Sequence, residues 1–236
     1  MLSHTSLEKS SLLLPGQVVG SIIRVSALKE LETLNIRERC DIVEFRADGF
    51  PAHIPDLQEA MSLCPCPALL TVRRPDEGGM NDLTPSERRS RLEKFLPYAR
   101  LLDLEIASLA EFPDILSQAG TLGIPVIASF HHFSGTPEKD TLKAAAERAM
   151  DLGADAVKFA TFLRGTADLA VLAALQEESA MPMATMGMGP MGRVSRLLLA
   201  SLGSVLNYGY LDEPTVPGQW PAARLRELIR ELRGEE

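Results

Sequence analysis

No apolar run in the 236-residue sequence approaches the ~18 residues that a membrane-spanning helix requires. Basic residues are the minority charge. There are 24 Lys and Arg against 32 Asp and Glu, for a net charge of −8, and no basic run occurs. Nucleic-acid binding draws most of its affinity from phosphate neutralisation, so this balance argues against such a partner and leaves room only for a local positive pocket around a small anion. Cysteine is scarce: Cys40, Cys64 and Cys66 are the only three. The spacing of the CPC triplet suits neither a zinc knuckle nor a thioredoxin-like pair, so buried or half-buried thiols in a reducing cytoplasm are expected. The first 17 residues hold a short leucine run but lack the charged start, long apolar stretch and small-residue cleavage site of a secretory signal. No GxGxxG follows the first apolar run, where the sequence reads Val19-Gly20-Ser21-Ile22. A dinucleotide-binding sheet therefore loses its usual support.

What is present is an alternation. With 45% hydrophobic and 24% charged residues the chain has the composition of a folded globular protein. Short β-branched or apolar runs at 18–25, 41–47, 68–73, 101–106, 125–130, 155–161, 182–188 and 204–209 read as strands, each followed by a helical pattern. The repeat is about 27 residues, the length of a strand-plus-helix unit. Thr84-Pro85-Ser86-Glu87 reads as a capping box with proline in the first turn, and Thr136-Pro137-Glu138 as a second threonine cap. Over 222–233, Leu225, Leu228, Ile229 and Leu232 recur at helical spacing as one apolar face. Eight such units predict a single α/β domain, a (β/α)8 TIM barrel over 1–236 with about 1–16 as a flexible extension. A doubly wound sheet is the alternative.

A barrel carries its chemistry at the carboxyl ends of its strands, and the unusual polar residues fall there. Glu44, Arg46 and Asp48 alternate along the second strand and share one face. They make either a structural charge network or part of a binding site, because such charges are costly in an apolar interior unless paired. Arg73 and Glu77 bracket the end of the third strand, before Gly78-Gly79. Asp103 and Glu105 share a face of the fourth and are placed to pair with Arg46 and Arg73 or to hold a ligand. His131 and His132 end the fifth. Neighbouring strand residues point in opposite directions, so one of them at most faces the barrel mouth as an acid–base group. Lys158 lies between Val157 and Phe159 in the sixth strand. Pointing inward it would be desolvated, which favours the neutral, nucleophilic amine; at the rim it would pair with a carboxylate. The seventh strand leads into Met186-Gly187-Met188-Gly189 and Arg196, a tight loop with a cation for an anion. The Pro-rich stretch 213–219 after the eighth strand is placed to cover the mouth.

In this order the segments DIVEFRAD, TVRRPDEGG, LLDLE, SFHHF, VKFA, TMGMGPMGRVSR, NYGY and VPGQ, spanning 41–219, resemble type I 3-dehydroquinate dehydratases. These are Schiff-base enzymes of the shikimate pathway. The resemblance implies dehydration of 3-dehydroquinate to 3-dehydroshikimate in a barrel with no metal and no cofactor, in a cytoplasmic homodimer without a fused shikimate dehydrogenase. It implies that Lys158 forms the imine, His131 is the general acid and base, and Glu77 orients the histidine. Glu44, Arg46 and Arg73 would hold substrate hydroxyls and carboxylate-side groups, and Asp103 would complete the polar network. Met186 and Met188 would pack beside the imine, with Arg196 on the substrate carboxylate. Tyr208 would supply an aromatic contact, and Thr215 and Gln219 the lid contacts. Three positions depart from the family pattern: His132 stands where Asp is usual, Thr215-Val216 where Ser-Ala is frequent, and Gly187 where Ser is common. His132 is expected to alter the electrostatics around His131. The competing readings are a class I aldolase and an inactive barrel that senses a carboxylate metabolite.

Overall fold

A computed structural model describes residues 11–24, 27–28, 31, 35–50 and 55–235. Eight strands alternate with helices: β1 Gln17–Ile22, α1 Ile36–Arg39, β2 Ile42–Arg46, α2 Pro55–Leu63, β3 Ala68–Thr71, α3 Pro85–Phe95, β4 Leu101–Glu105 and α4 Pro113–Leu122 make the first half. The second half is β5 Val126–His132, α5 Lys139–Asp151, β6 Ala156–Phe162, α6 Thr166–Glu177, β7 Met183–Met188, α7 Gly192–Ser201, β8 Leu206–Tyr210 and α8 Ala222–Arg233. All eight expected strands form. They pair in parallel in the order β7-β6-β5-β4-β3-β2-β1-β8, so the last strand lies beside the first. At the remaining seam the Val205 N–H donates to Met183 O at 3.0 Å, and the sheet is a nearly closed TIM-like barrel.

Two apolar layers follow from the period of two. Residues on one face of the strands, such as Phe45, Leu70, Leu102 and Phe159, pack outward against the helices, and Val19, Ile42, Leu69, Leu101, Ile127 and Leu206 on the other fill the inside. Leu13 joins the inner layer, and the Gly16 N–H donates to Ser204 O at 2.9 Å. Of residues 11–16, Leu13 is buried, Leu12 and Gly16 are half-buried, and Ser11, Leu14 and Pro15 are exposed. The rest of the expected extension, 1–10, lies outside the described residues.

The local signals hold with three corrections. Thr84 and Glu87 form the full capping box at the start of α3. Thr136 does not cap α5, which starts at Lys139; its hydroxyl lies 2.8 Å from Thr161 Oγ1, because the loop folds back on β6. Leu225 and Ile229 of α8 are buried, but Leu232 is 58% exposed, since the last turn runs past the sheet. Strand β5 extends two residues beyond its expected end, because His131 and His132 still pair with Ala160 and Thr161 of the equally long β6. Cys40 and Cys66 are buried, Cys64 is half-buried, and all three are free thiols.

Candidate active site

Following one face along each strand, the inner positions change from apolar to polar toward the carboxyl end. They read Val19 then Ser21, Ile42 then Glu44, Leu69 then Thr71, Leu101 then Asp103, Ile127 then Ser129, and Ala156 then Lys158. The polar layer is buried, so each charge needs a partner. Asp103 sits at the centre. Its Oδ2 accepts from Lys158 Nζ at 2.5 Å, and its Oδ1 is 2.9 Å from Arg73 Nη2 and accepts from Ser129 Oγ at 2.6 Å. Burial opposes its ionisation, yet Arg73 and Lys158 hold its carboxyl down at about 2. Burial lowers Lys158 below the ordinary lysine value; Asp103 pulls the other way and Arg73 adds to the lowering. The Lys158 ammonium lies 4.4 Å from the centre of the Tyr208 ring.

Arg46 does not join Glu44 in a three-charge network. It makes a bidentate pair with Asp48, at 2.9 and 2.8 Å, and donates to Gly78 O at 2.9 Å. Asp48 lies beyond the end of β2, where the chain turns back toward the guanidinium. Glu44 takes the hydroxyls of Ser21 and Thr71 at 2.6 and 2.9 Å. Arg73, not Arg46, is the partner of both carboxylates of β4, with Glu105 at 3.2 Å.

His131 points toward the mouth, its side chain 13% exposed, with Nδ1 at 3.1 Å from Glu77 Oε2. Burial first, then the positive charges of Arg73, Lys158 and Arg46, push its imidazole well below 6.5. Burial raises the Glu77 carboxyl to about 7 against the pull of Arg73. Arg196 is buried, and its Nε and Nη1 donate to four carbonyls, of Tyr208, Gly187, Gly192 and Gly218. None of these partners is a carboxylate, and burial brings the guanidinium down to about 10. Above it the Gln219 carboxamide oxygen accepts from the Thr215 N–H at 2.7 Å, folding the loop over the mouth.

These groups enclose a cavity of about 160 Å³. Every expected site residue lines it except Asp103, which stands behind Lys158 and Arg73. The arrangement offers a desolvated amine, a neutral imidazole and an uncompensated guanidinium around one small space.

The sequence model of the type I 3-dehydroquinase family matches residues 21–236. The chain belongs to that family. It is an enzyme, a 3-dehydroquinate dehydratase of the hydro-lyase class. The 3-dehydroquinate dehydratase of Methanocella arvoryzae is 32% identical over 219 residues, covering 92% of this chain and 97% of that one. The enzyme of the same name from Methanothrix thermoacetophila is 35% identical over 82% of each chain. The crystal structure of the Geobacillus kaustophilus 3-dehydroquinate dehydratase superposes with a TM-score of 0.83 at 29% identity, covering 93% of this chain and 91% of that one.

Two departures from the family pattern acquire a physical account. His132 turns away from the cavity: its ring stacks on Phe130 with centroids 6.0 Å apart, and its Nδ1 lies 2.8 Å from Gly135 O. The charges acting on His131 are Arg73, Lys158 and Arg46. At Gly187 any Cβ would run into Leu163 and Ser195, and Ser195 Oγ itself accepts the Gly187 N–H at 2.9 Å.

Four further residues build the site and were not singled out from the sequence. Ser21, Thr71 and Ser129 satisfy Glu44 and Asp103, and their places on the same strand faces as the charges were the available signal. Arg88 of α3 reaches into the buried network, bonding Glu105, Ser108 at 3.0 Å and Val72 O at 3.1 Å. Only the docking of the helix reveals it.

Proposed function

We propose that the chain dehydrates 3-dehydroquinate through an imine on Lys158, with His131 as both base and acid. The observation that carries this reading is a buried lysine of lowered pKa in one cavity with a histidine held in its neutral form. Deprotonated Lys158 attacks the ketone carbon; the carbonyl oxygen takes one proton from the nitrogen and one from solvent and leaves as water, and a protonated imine remains. That cation draws electrons from the neighbouring C–H bond. His131 takes the proton, and the electron pair forms an enamine. The enamine pushes out the β-hydroxyl, which leaves as water with the proton from His131. Hydrolysis of the conjugated imine releases 3-dehydroshikimate and the lysine. Arg196 holds the substrate carboxylate, Glu44, Arg46 and Arg73 hold the hydroxyls and ring, and Met186 and Met188 shield the imine from water. The scheme uses no cofactor. With the family likeness we read the chain as a one-domain, cytoplasmic homodimer at the third step of the shikimate pathway.

Borohydride added with 3-dehydroquinate tests the imine. The expected result is irreversible inactivation and one substrate-derived mass on the peptide that contains Lys158. A label on Lys143 or another lysine, or a fully active Lys158→Ala variant, rejects the mechanism.

A further inference from the structure

Of the buried polar side-chain atoms among the described residues, three have no hydrogen-bond partner: Gln17 Oε1, Arg226 Nε and the Tyr208 hydroxyl. Gln17 and Arg226 line a groove with Leu14 and Pro15 at the base of the barrel. Tyr208 is different. It is 4% exposed, lines the catalytic cavity, and holds its ring under the Lys158 ammonium. An unmade hydrogen bond on a buried hydroxyl is costly, which makes it a feature requiring an explanation.

The neighbouring carboxylates bond other donors. Asp103 accepts from Lys158, Arg73 and Ser129, and Glu44 from Ser21 and Thr71. The hydroxyls of Ser21, Thr71 and Ser129 are likewise spent on carboxylates. The Tyr208 hydroxyl is thus an uncommitted donor, carried on the ring that lies 4.4 Å from the amine. Burial, with the carboxylates of Asp103 and Glu44, keeps the phenol protonated at every working pH.

We propose that the Tyr208 hydroxyl donates a hydrogen bond to the substrate's ketone oxygen and so promotes formation of the imine. This rests on the reading of Lys158 given above. As the nitrogen lone pair bonds to the carbonyl carbon, the π pair of the C=O bond moves onto oxygen, and a fixed donor there strengthens its bond as charge grows. The oxygen then takes one proton released by the nitrogen and a second from solvent, and leaves as water while the C=N bond of the protonated imine forms. Tyr208 keeps its own proton throughout. The role belongs to the hydroxyl rather than to the ring.

Tyr208→Phe removes only that oxygen. Rapid-quench borohydride trapping with 3-dehydroquinate should show imine formation slowed on the order of 10²-fold relative to the wild type, the scale set by loss of one such donor. The unliganded variant should melt at or above the wild-type temperature, because a buried unpaired group has been deleted. An unchanged trapping rate overturns the proposal while leaving the Lys158 mechanism intact. So does a variant that melts well below the wild type, since the hydroxyl would then be a structural partner. Absence of any wild-type adduct removes the Lys158 reading and this one with it.

Discussion

Glu77 Oε2 meets His131 twice: it accepts the backbone N–H at 2.9 Å and lies 3.1 Å from ring Nδ1. The two contacts fix the ring and commit Nδ1, leaving Nε2 as the nitrogen for substrate. The two groups titrate with opposite consequences for stability. Glu77 is raised from 4.5 to about 7, so its contribution is complete below 4.5 and is lost as pH rises through 7, by roughly 3 kcal/mol. His131 is depressed below 6.5, so its contribution is complete above 6.5 and is lost as pH falls. Urea unfolding between pH 8 and pH 5 should therefore show Glu77→Gln losing stability more steeply than the wild type on acidification. His131→Asn should gain stability over the same interval. A flat profile for His131→Asn contradicts the raised Glu77 pKa. Turnover should fall on the order of 10²–10⁴-fold in His131→Asn, with an imine accumulating on Lys158.

Asp103 pulls the Lys158 pKa upward against burial and Arg73. Asp103→Asn removes that pull, so the pH for half-maximal borohydride trapping should move down. Arg73 also loses a buried partner, and the fold should weaken by about 3–5 kcal/mol. A trapping midpoint that moves up would show that Asp103 does not act as the counter-charge.

Gln219 holds the loop at Thr215 through its carboxamide oxygen. Gln219→Ala should loosen the cover over the cavity and raise KM about 10-fold with kcat within a few-fold. Steady-state kinetics separates this from a transition-state role, which would lower kcat at constant KM.

Arg88→Met deletes a buried cation that bonds Glu105, Ser108 and Val72 O, while Glu105 still receives Arg73 and the Arg74 N–H. The loss should be about 3–5 kcal/mol, or a melting temperature lower by about 10 °C for a chain of this size. A melting curve matching the wild type would mean that α3 does not brace the site.

Local chemistry in the sequence determined the strands, their alternating faces and the places where charge interrupts apolar runs. Lys158 between Val157 and Phe159 and the Thr84 capping box were legible because period-two alternation and caps depend on residues only a few positions apart. Tertiary structure decided the partners. Arg46 turned to Asp48 rather than Glu44, one aspartate came to serve both Lys158 and Arg73, and Thr136 left the end of α5 for Thr161. The choice between His131 and His132 went the same way, since β5 stays paired to its last residue and so places only the first of them over the cavity. The physical reason is that an ion pair or hydrogen bond needs two atoms about 3 Å apart at the right angle, and for residues on different strands that distance is set by sheet register and barrel closure. Asp103 and Lys158 are 55 positions apart in the chain, and the pairing of β4 and β6 on either side of β5 brings them together.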